Sequence, residues 1–202
     1  MKERIIRPEM VKFIDGKLMD NGLAKHHVQN KNPRGLMVEA IRVCVGITEK
    51  TGKNDGFMVE LIQDTVGGVS NEAWCMSTQQ TILAYAELKT GIKSPLLATE
   101  HCLTLFRWVK QNRPDLLVKY NPLPGAITIW RHGNTENGHT EMVLDADETI
   151  FHAVGGNTSG YLSMPEAIYG NKVNREGNGL FYTLRSRHGD GDMKVMGFIK
   201  PF

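Results

Sequence analysis

The sequence has 202 residues, of which 41% are hydrophobic and 23% charged, a composition typical of a globular protein large enough to bury a core. Its 24 basic and 22 acidic residues nearly cancel, so a net charge of +2 indicates no particular partner, and no basic stripe suited to nucleic acid is present. No apolar run approaches the roughly 18 residues that span a bilayer, and the N-terminus lacks the apolar stretch of a signal peptide.

The chain has three cysteines, at Cys44, Cys75 and Cys102. They are too few and too scattered for a disulfide framework, so we expect reduced thiols and synthesis in the cytoplasm. Any action outside the cell would then depend on release, injection or export by another system. We expect a monomer with no nucleic-acid or membrane partner.

Residues 1–31 contain seven basic and four acidic residues and are predicted to be irregular. We interpret residues 1–35 as an N-terminal arm or extension that packs on one domain formed by residues 36–202. A weak anchor for an anionic polymer is the alternative interpretation. We favour the packed arm because short basic excesses are common on protein surfaces.

Four helices are predicted in the first part of the chain. The first opens at Asn32 and Pro33, an N-cap followed by proline at the first helical position, and it ends near Gly46. Three more are predicted at residues 56–66, from 74 or 75 to about 89, and from just after 95 through 109. Cys44 and Cys102 fall within these patterns and are predicted to be buried packing residues.

The pattern changes at Pro124, after which short β-prone runs alternate with turn residues. The runs lie at residues 126–130, 139–145, 149–154, 179–187 and 194–202. Helices first and strands afterwards predict an α+β fold, with N-terminal helices packed on a C-terminal antiparallel β-sheet. Residues 158–178 are rich in Gly, Asn and Ser and are predicted to form a long surface loop.

Cys75 follows a glycine-rich and polar approach, VGGVSNEAW, and is predicted in the first turn of the third helix. A helix N-terminus carries partial positive charge, which favours a thiolate over a thiol. Its unpaired N–H groups suit an oxyanion formed when the sulfur attacks a carbonyl. Cys75 is therefore a candidate nucleophile; the alternative is a buried cysteine with no chemical role.

A nucleophilic cysteine needs a base, and histidine has a suitable pKa. His139 follows Asn137-Gly138 and begins a predicted strand, a fixed but accessible position. His132 and His152 lie on or beside neighbouring strands, where we expect them to pair with other groups or line the site. Spacing alone does not choose among these three histidines.

A third polar group usually orients such a base. Asn157 follows the run FHAVGG, at what we predict to be the end of a strand, and is the candidate. The alternative is a plain Gly-Gly-Asn turn. Three acidic residues also lie nearby, but their position between two predicted strands is more typical of a hairpin turn: Asp145, Asp147 and Glu148.

These residues and their surroundings resemble the CHAP-type amidohydrolases and peptidases, a papain-like family that cuts bacterial peptidoglycan. The resemblance covers roughly residues 36–200 and rests on four short motifs in the family's order. They are Trp74-Cys75 in EAWCMS, the Pro-Gly of LPGAITIW, Gly138-His139 in GHTEMV, and Asn157 in VGGN.

Two further stretches resemble a subgroup common in phage lysins. The first is GITEKTGKNDG, with Glu49 and Asn54, and the second is NREGNGLFYTLRSR followed by MKVMGFIKP. Two positions depart from the family pattern: Ala126 stands where Asp is frequent, and Glu141 stands where a small residue is usual. Two placements of the Glu141 carboxylate are open, beside the imidazole or pointing away from it. Residues 1–35 match no part of the pattern.

The resemblance implies a papain-like fold with residues 36–202 as the catalytic domain. It implies that His139 deprotonates Cys75, that Asn157 orients the imidazole, and that the backbone N–H groups of Cys75 and Met76 hold the oxyanion. It also implies substrate contacts, which we assign to Trp74, Glu49, Asn54 and Glu141. The mechanism needs no cofactor and no metal, and the expected partner is peptidoglycan or a peptide fragment of it.

The bond that is cut remains open between the N-acetylmuramoyl-L-alanine amide and a bond within the stem or cross-bridge peptide. One alternative is a papain-like cysteine hydrolase that acts on a different peptide or amide, since a fold does not fix a substrate. A second is a non-catalytic cell-wall binding module. A third is a zinc site formed by Cys75, His139 and His152, which we disfavour because closely spaced ligand pairs are absent.

Overall fold

The computed structural model describes residues 3–118, 121–169, 174–189 and 191–202. Within these ranges the α-helices are α1 (Pro8–Leu18), α2 (Gly22–Gln29), α3 (Pro33–Val43), α4 (Phe57–Asp64), α5 (Cys75–Thr90), α6 (Cys102–Asn112) and α7 (Met164–Tyr169). A 3-10 turn covers Pro114–Leu116. The strands are β1 (Leu117–Val118), β2 (Ile127–His132), β3 (Gly138–Ala146), β4 (Ile150–Gly160), β5 (Asn174–Ser186) and β6 (Met193–Ile199).

The six strands form one antiparallel sheet in the order β1-β6-β2-β3-β4-β5. Helices α1 to α6 precede the strands along the chain, α7 lies between β4 and β5, and α5 and α6 pack against β2, β3 and β4. The predicted α+β class, with N-terminal helices packed on a C-terminal antiparallel sheet, is therefore confirmed. The described residues contain no helix that combines the length and the apolar character needed to cross a bilayer.

The predicted helices α3, α4 and α5 begin within one residue of their expected positions. The side chain of Asn32 accepts a hydrogen bond from the Gly35 N–H, and Pro33 follows at the first helical position. α5 ends at Gly91, whose φ of 73° suits glycine at a helix C-terminus. α6 starts only at Cys102, because the residues after Pro95 form an extended connection.

The main hydrophobic core lies between the helices and one face of the sheet. Helix α5 is buried along most of its length and is the central element of this core. A smaller cluster includes Trp130, Phe151 and Phe198, whose rings contact one another. Because side chains alternate along β2, Trp130 lies on the face opposite Ile127 and Ile129, so both faces of the sheet carry apolar side chains.

The prediction that residues 1–31 are irregular is wrong, because they form α1 and α2. Met10, Ile14 and Leu18 recur every four residues and are buried in the main core. Before α1, the buried guanidinium of Arg4 donates to Glu87 Oε1 on α5 at 2.9 Å. The helical period was present in the sequence but is short, and basic residues interrupt it.

The predicted loop over residues 158–178 is also wrong in large part. β4 continues to Gly160, α7 follows, and β5 begins at Asn174, while residues 170–173 lie outside the described residues. Gly156 is a site of close approach within β4 and not a turn residue. A Cβ atom there would lie 2.6 Å from Cζ3 of Trp74, so only glycine lets the strand pass the start of α5.

Candidate active site

Cys75 is the first residue of α5, and its exposed fraction is only 5%. The first helical hydrogen bond runs from the Thr78 N–H to the Trp74 carbonyl at 2.9 Å. The N–H groups ahead of Thr78 have no acceptor within the helix, and the Trp74 side chain has no oxygen with which to cap them. Cys75 therefore lies at the positive end of a buried helix, as predicted.

The imidazole of His139 lies within hydrogen-bonding reach of the Cys75 sulfur. Hydrogen bonds from Cys102 and His139, the charge of His139 and the Met76 N–H hold the pKa of Cys75 well below its usual value, against the effect of burial. Burial also opposes the charged form of His139, but the hydrogen bonds and charges of Cys75 and Glu141 raise its pKa to about 9. The two groups therefore favour a thiolate–imidazolium pair at neutral pH.

Glu141 is the group that contacts the imidazole on its other side. Nε2 of His139 lies 3.2 Å from Glu141 Oε1, which leaves Nδ1 available to Cys75. Both side chains lie on the same face of β3 because they are two residues apart. Glu141 is completely buried. The guanidinium of Arg185 and the contact with His139 hold the pKa of Glu141 well below its usual value, although burial alone would raise it.

Arg185, on β5, is a site residue that the sequence did not reveal. Its Nη2 donates to Glu141 Oε1 at 2.6 Å, and its Nε donates to Glu141 Oε2 at 3.0 Å. Thr183 donates to the same Oε2 at 3.0 Å, and the Arg185 guanidinium lies 5.9 Å from the ring centre of Trp130. We call His139, Glu141, Thr183 and Arg185 the Glu141 network.

The structure does not bring Asn157, the predicted orienting group, to the imidazole of His139. The Asn157 Nδ2 donates to Asn54 Oδ1 at 2.9 Å, to Glu49 Oε1 at 3.2 Å and to the Gly177 carbonyl at 3.3 Å, while Glu141 contacts the imidazole. The cause is the continuation of β4 through Asn157, whose φ is 55°. The sequence feature that indicates this contact is the two-residue spacing between His139 and Glu141, which places both side chains on one face of a strand.

Glu49 forms the centre of a second buried cluster beside the nucleophile. Its Oε1 accepts from Trp74 Nε1 at 2.9 Å, and its Oε2 accepts from the Asn54 N–H at 2.8 Å. We call Glu49, Asn54, Trp74 and Asn157 the Glu49 network. It fixes Trp74, the N-cap residue of α5, and thereby the position of Cys75.

The four residues expected to contact a substrate are all engaged with other protein groups. Trp74 and Glu141 are completely buried, and Glu49 is buried within its own network. Asn54 is half-buried, and its side-chain amide already contacts Asn157 and the Asn71 carbonyl. These side chains hold the site in place.

Cys102 was predicted to lie inside a helix as packing. The structure instead places it at the first position of α6, with its Sγ 3.7 Å from the Sγ of Cys75. The hydrogen bond to Cys75, together with burial, raises the pKa of Cys102 well above its usual value. Of these two cysteines, Cys75 is the one that interacts with His139. Cys75 therefore carries the negative charge, and the S–H group of Cys102 donates a hydrogen bond to it.

A groove of about 890 Å³ opens over this site and includes both Cys75 and Cys102 in its lining. Its walls come from the residues before α5, from the start of α6, and from the β2–β3 turn. Charged and titratable side chains dominate its rim: Glu72, Glu100, His101, Arg107, His132, Glu136 and Asp192. The groove offers an extended polar substrate access to the sulfur.

The Met76 N–H interacts with the Cys75 sulfur and helps to lower the pKa of that thiol. His132 lines the groove and His152 Nδ1 contacts Asp145 Oδ1 at 2.5 Å, so the lining and pairing roles expected of them are confirmed. His152 therefore does not join Cys75 and His139. No group of three or more metal-binding side chains was found in the described parts of the chain.

No protein-family model matches this sequence, and no curated protein matches it at a significant level. The resemblance to CHAP-type enzymes thus remains a prediction based on short motifs. The geometry of Cys75, His139 and Glu141 stands independently of that resemblance.

Proposed function

We propose that the protein is a cysteine amide hydrolase that cuts peptidoglycan through a thioester intermediate. The observation that carries this proposal is the continuous line of contacts that begins at Cys75, which lines an open groove, and runs through His139 and Glu141 to Arg185. Perturbed pKa values in a groove are typical of catalytic sites. Ligand binding alone does not require a buried carboxylate that keeps a histidine protonated.

In the proposed reaction, the Cys75 thiolate attacks the amide carbonyl, and the N–H groups at the start of α5 stabilise the oxyanion. The protonated His139 then gives its proton to the leaving amine, which forms the thioester. Neutral His139 next takes a proton from water, and the resulting attack releases the acid and restores the thiolate. Glu141 stabilises the imidazolium and fixes the ring so that Nδ1 faces the sulfur.

Two features support peptidoglycan as the substrate. The first is the set of ordered motifs around Trp74-Cys75, Gly138-His139 and Asn157 that resemble cell-wall hydrolases. The second is the groove, whose described lining contains four carboxylates and one arginine. An excess of negative charge suits the ammonium groups of the diamino acids in stem and cross-bridge peptides.

The test is digestion of purified sacculi by the intact chain, with mass spectrometry of the soluble muropeptides. We expect new amino groups, and the products would identify the bond as the glycan–peptide amide or a peptide bond. Cys75→Ala is the matched control and should release none. If the wild-type protein leaves sacculi of several cross-bridge types intact but hydrolyses other peptides, the substrate is wrong while the cysteine chemistry stands.

A further inference from the structure

The catalytic cysteine has a second thiol as its neighbour, and the proposed hydrolysis does not require one. Cys75 and Cys102 come from the first turns of two different helices, and both are free thiols whose sulfurs lie 3.7 Å apart. Both line the same groove, so small oxidants in solvent reach them. Cys44 is also free but is completely buried in the main core.

We propose that Cys102 is a resolving cysteine, which forms a reversible disulfide with Cys75 when a hydroperoxide oxidises the nucleophile. The disulfide removes the thiolate and stops hydrolysis until a thiol reductant restores it. This inference goes beyond the proposed function, because it depends on the two sulfurs and not on the substrate.

The chemistry balances in two steps. In the first, the Cys75 thiolate attacks an oxygen of hydrogen peroxide; an S–O bond forms, the O–O bond breaks, and hydroxide leaves and is protonated to water. Cys75 is then a sulfenic acid. In the second, Cys102 loses its proton and attacks the Cys75 sulfur; an S–S bond forms, the S–O bond breaks, and a second water leaves. Two thiols are oxidised and one peroxide is reduced.

The geometry places the resolving sulfur beside its target before oxidation. Closing the bond requires the sulfurs to approach from 3.7 Å to about 2.0 Å, a distance that side-chain rotation at two helix starts can supply. The backbone of Gly138 lies against Cys102, since a Cβ on this glycine would be 2.8 Å from the Cys102 Cβ. Strand β3 thus packs directly against the start of α6, where Cys102 lies.

A resolving thiol at this distance also protects the nucleophile. A sulfenic acid with no partner proceeds with excess peroxide to sulfinic acid, which thiol reductants do not reverse. The presence or absence of Cys102 therefore decides whether oxidation of Cys75 is reversible.

The experiment treats the full chain with hydrogen peroxide, blocks free thiols and maps the peptides without reduction. We expect one cross-linked peptide pair containing Cys75 and Cys102, and its loss after dithiothreitol. In Cys102→Ser, Cys75 should instead accumulate as sulfinic acid, and the activity, relative to the same variant before oxidation, should not return with dithiothreitol. Cys44→Ser is the matched control and should form the cross-link like the wild type.

Peptide mapping of the oxidised wild-type chain tests the proposed disulfide even if Cys102→Ser fails to fold. A wild-type chain whose Cys75 becomes sulfinic acid while Cys102 stays free would overturn the proposal, and so would two thiols that peroxide leaves unmodified. The cross-link is detected by mass spectrometry and not by activity. It can therefore be present in a protein that cuts no peptidoglycan and absent from a protein that does. Failure of this proposal is thus distinguishable from failure of the proposed function.

Discussion

The Glu141 network and the Glu49 network both adjoin the start of α5, the first through Cys75 and the second through Trp74, and each is centred on one buried glutamate. They differ in what the carboxylate contacts. Glu141 contacts an imidazole and a guanidinium, which are groups that carry charge. Glu49 accepts hydrogen bonds from an indole, an amide and a backbone N–H, which are neutral. The first network therefore sets protonation at the site, whereas the second holds its framework.

After loss of the nucleophile, the largest effect on the rate is expected from loss of the base. His139→Ala should lower kcat/KM by about 10³-fold, since general acid–base catalysis contributes on that scale. Combining it with Cys75→Ala should cost little more than Cys75→Ala alone, because the two residues act as one unit. Rates of sacculus solubilisation measure both, with circular dichroism as the check on folding. A folded and active His139→Ala beside an inactive His132→Ala would reassign the base.

Loss of Arg185 should reduce stability more than any other single change in the two networks. Arg185→Met removes the guanidinium from the buried Glu141 carboxylate, and breaking a buried pair in this way costs about 3 kcal/mol. Arg187→Met is the matched control, because Arg187 lies two residues away and its side chain donates to the Asp147 carbonyl and to the exposed Asn121. Denaturant unfolding compares the two, and equal losses would contradict the role of the buried pair.

Glu141→Gln tests whether this carboxylate sets the protonation of His139. A neutral amide no longer stabilises the imidazolium, so we expect kcat to fall by about 10²-fold. The pKa of His139 is raised to about 9, so the wild-type rate should hold up to that pH and fall above it. In Glu141→Gln the fall should move to lower pH. In Asn157→Ala the rate should fall at the same high pH as in the wild type. A shift of that fall equal to the shift in Glu141→Gln would identify Asn157 as the orienting group.

The smallest effect should come from Glu49→Gln. The amide cannot accept from Trp74, Asn54 and Asn157 at once, and an unsatisfied buried donor costs about 1–2 kcal/mol. The melting temperature should fall, while the pH dependence of kcat should match that of the wild type. A displaced pH profile would show that the two networks are coupled electrostatically and would remove the distinction between them.

The sequence predicted the elements whose evidence is local. The N-cap at Asn32 and Pro33, the helix start at Cys75 and the alternating strands are all properties of a few neighbouring residues. Cys75 could be chosen in the same way, because it stands at the start of a helix, whereas the choice of His139 over His132 and His152 depended on the family resemblance. The order of helices and strands was enough to predict the α+β class.

The rest of the site depends on pairing across the sheet, which a single sequence does not reveal. Arg185 on β5 reaches Glu141 on β3 across β4, which lies between these two strands in the sheet. The two residues are 44 positions apart in the sequence. Cys102 meets Cys75 because α6 starts later than its pattern indicates. The position of Asn157 was not predicted because Gly155 and Gly156 read as a turn, when they in fact let β4 pass close to Glu141 and Trp74.

The most direct test of the central claim is the pH dependence of alkylation, resolved for each cysteine by peptide mapping. If Cys75 is a thiolate held by His139, iodoacetamide should label it first, with an apparent pKa well below the ordinary thiol value of about 8.5, while Cys44 stays unlabelled. In His139→Ala the apparent pKa of Cys75 should rise. Labelling of Cys102 before Cys75, or an unperturbed Cys75 that does not respond to loss of His139, would contradict the account.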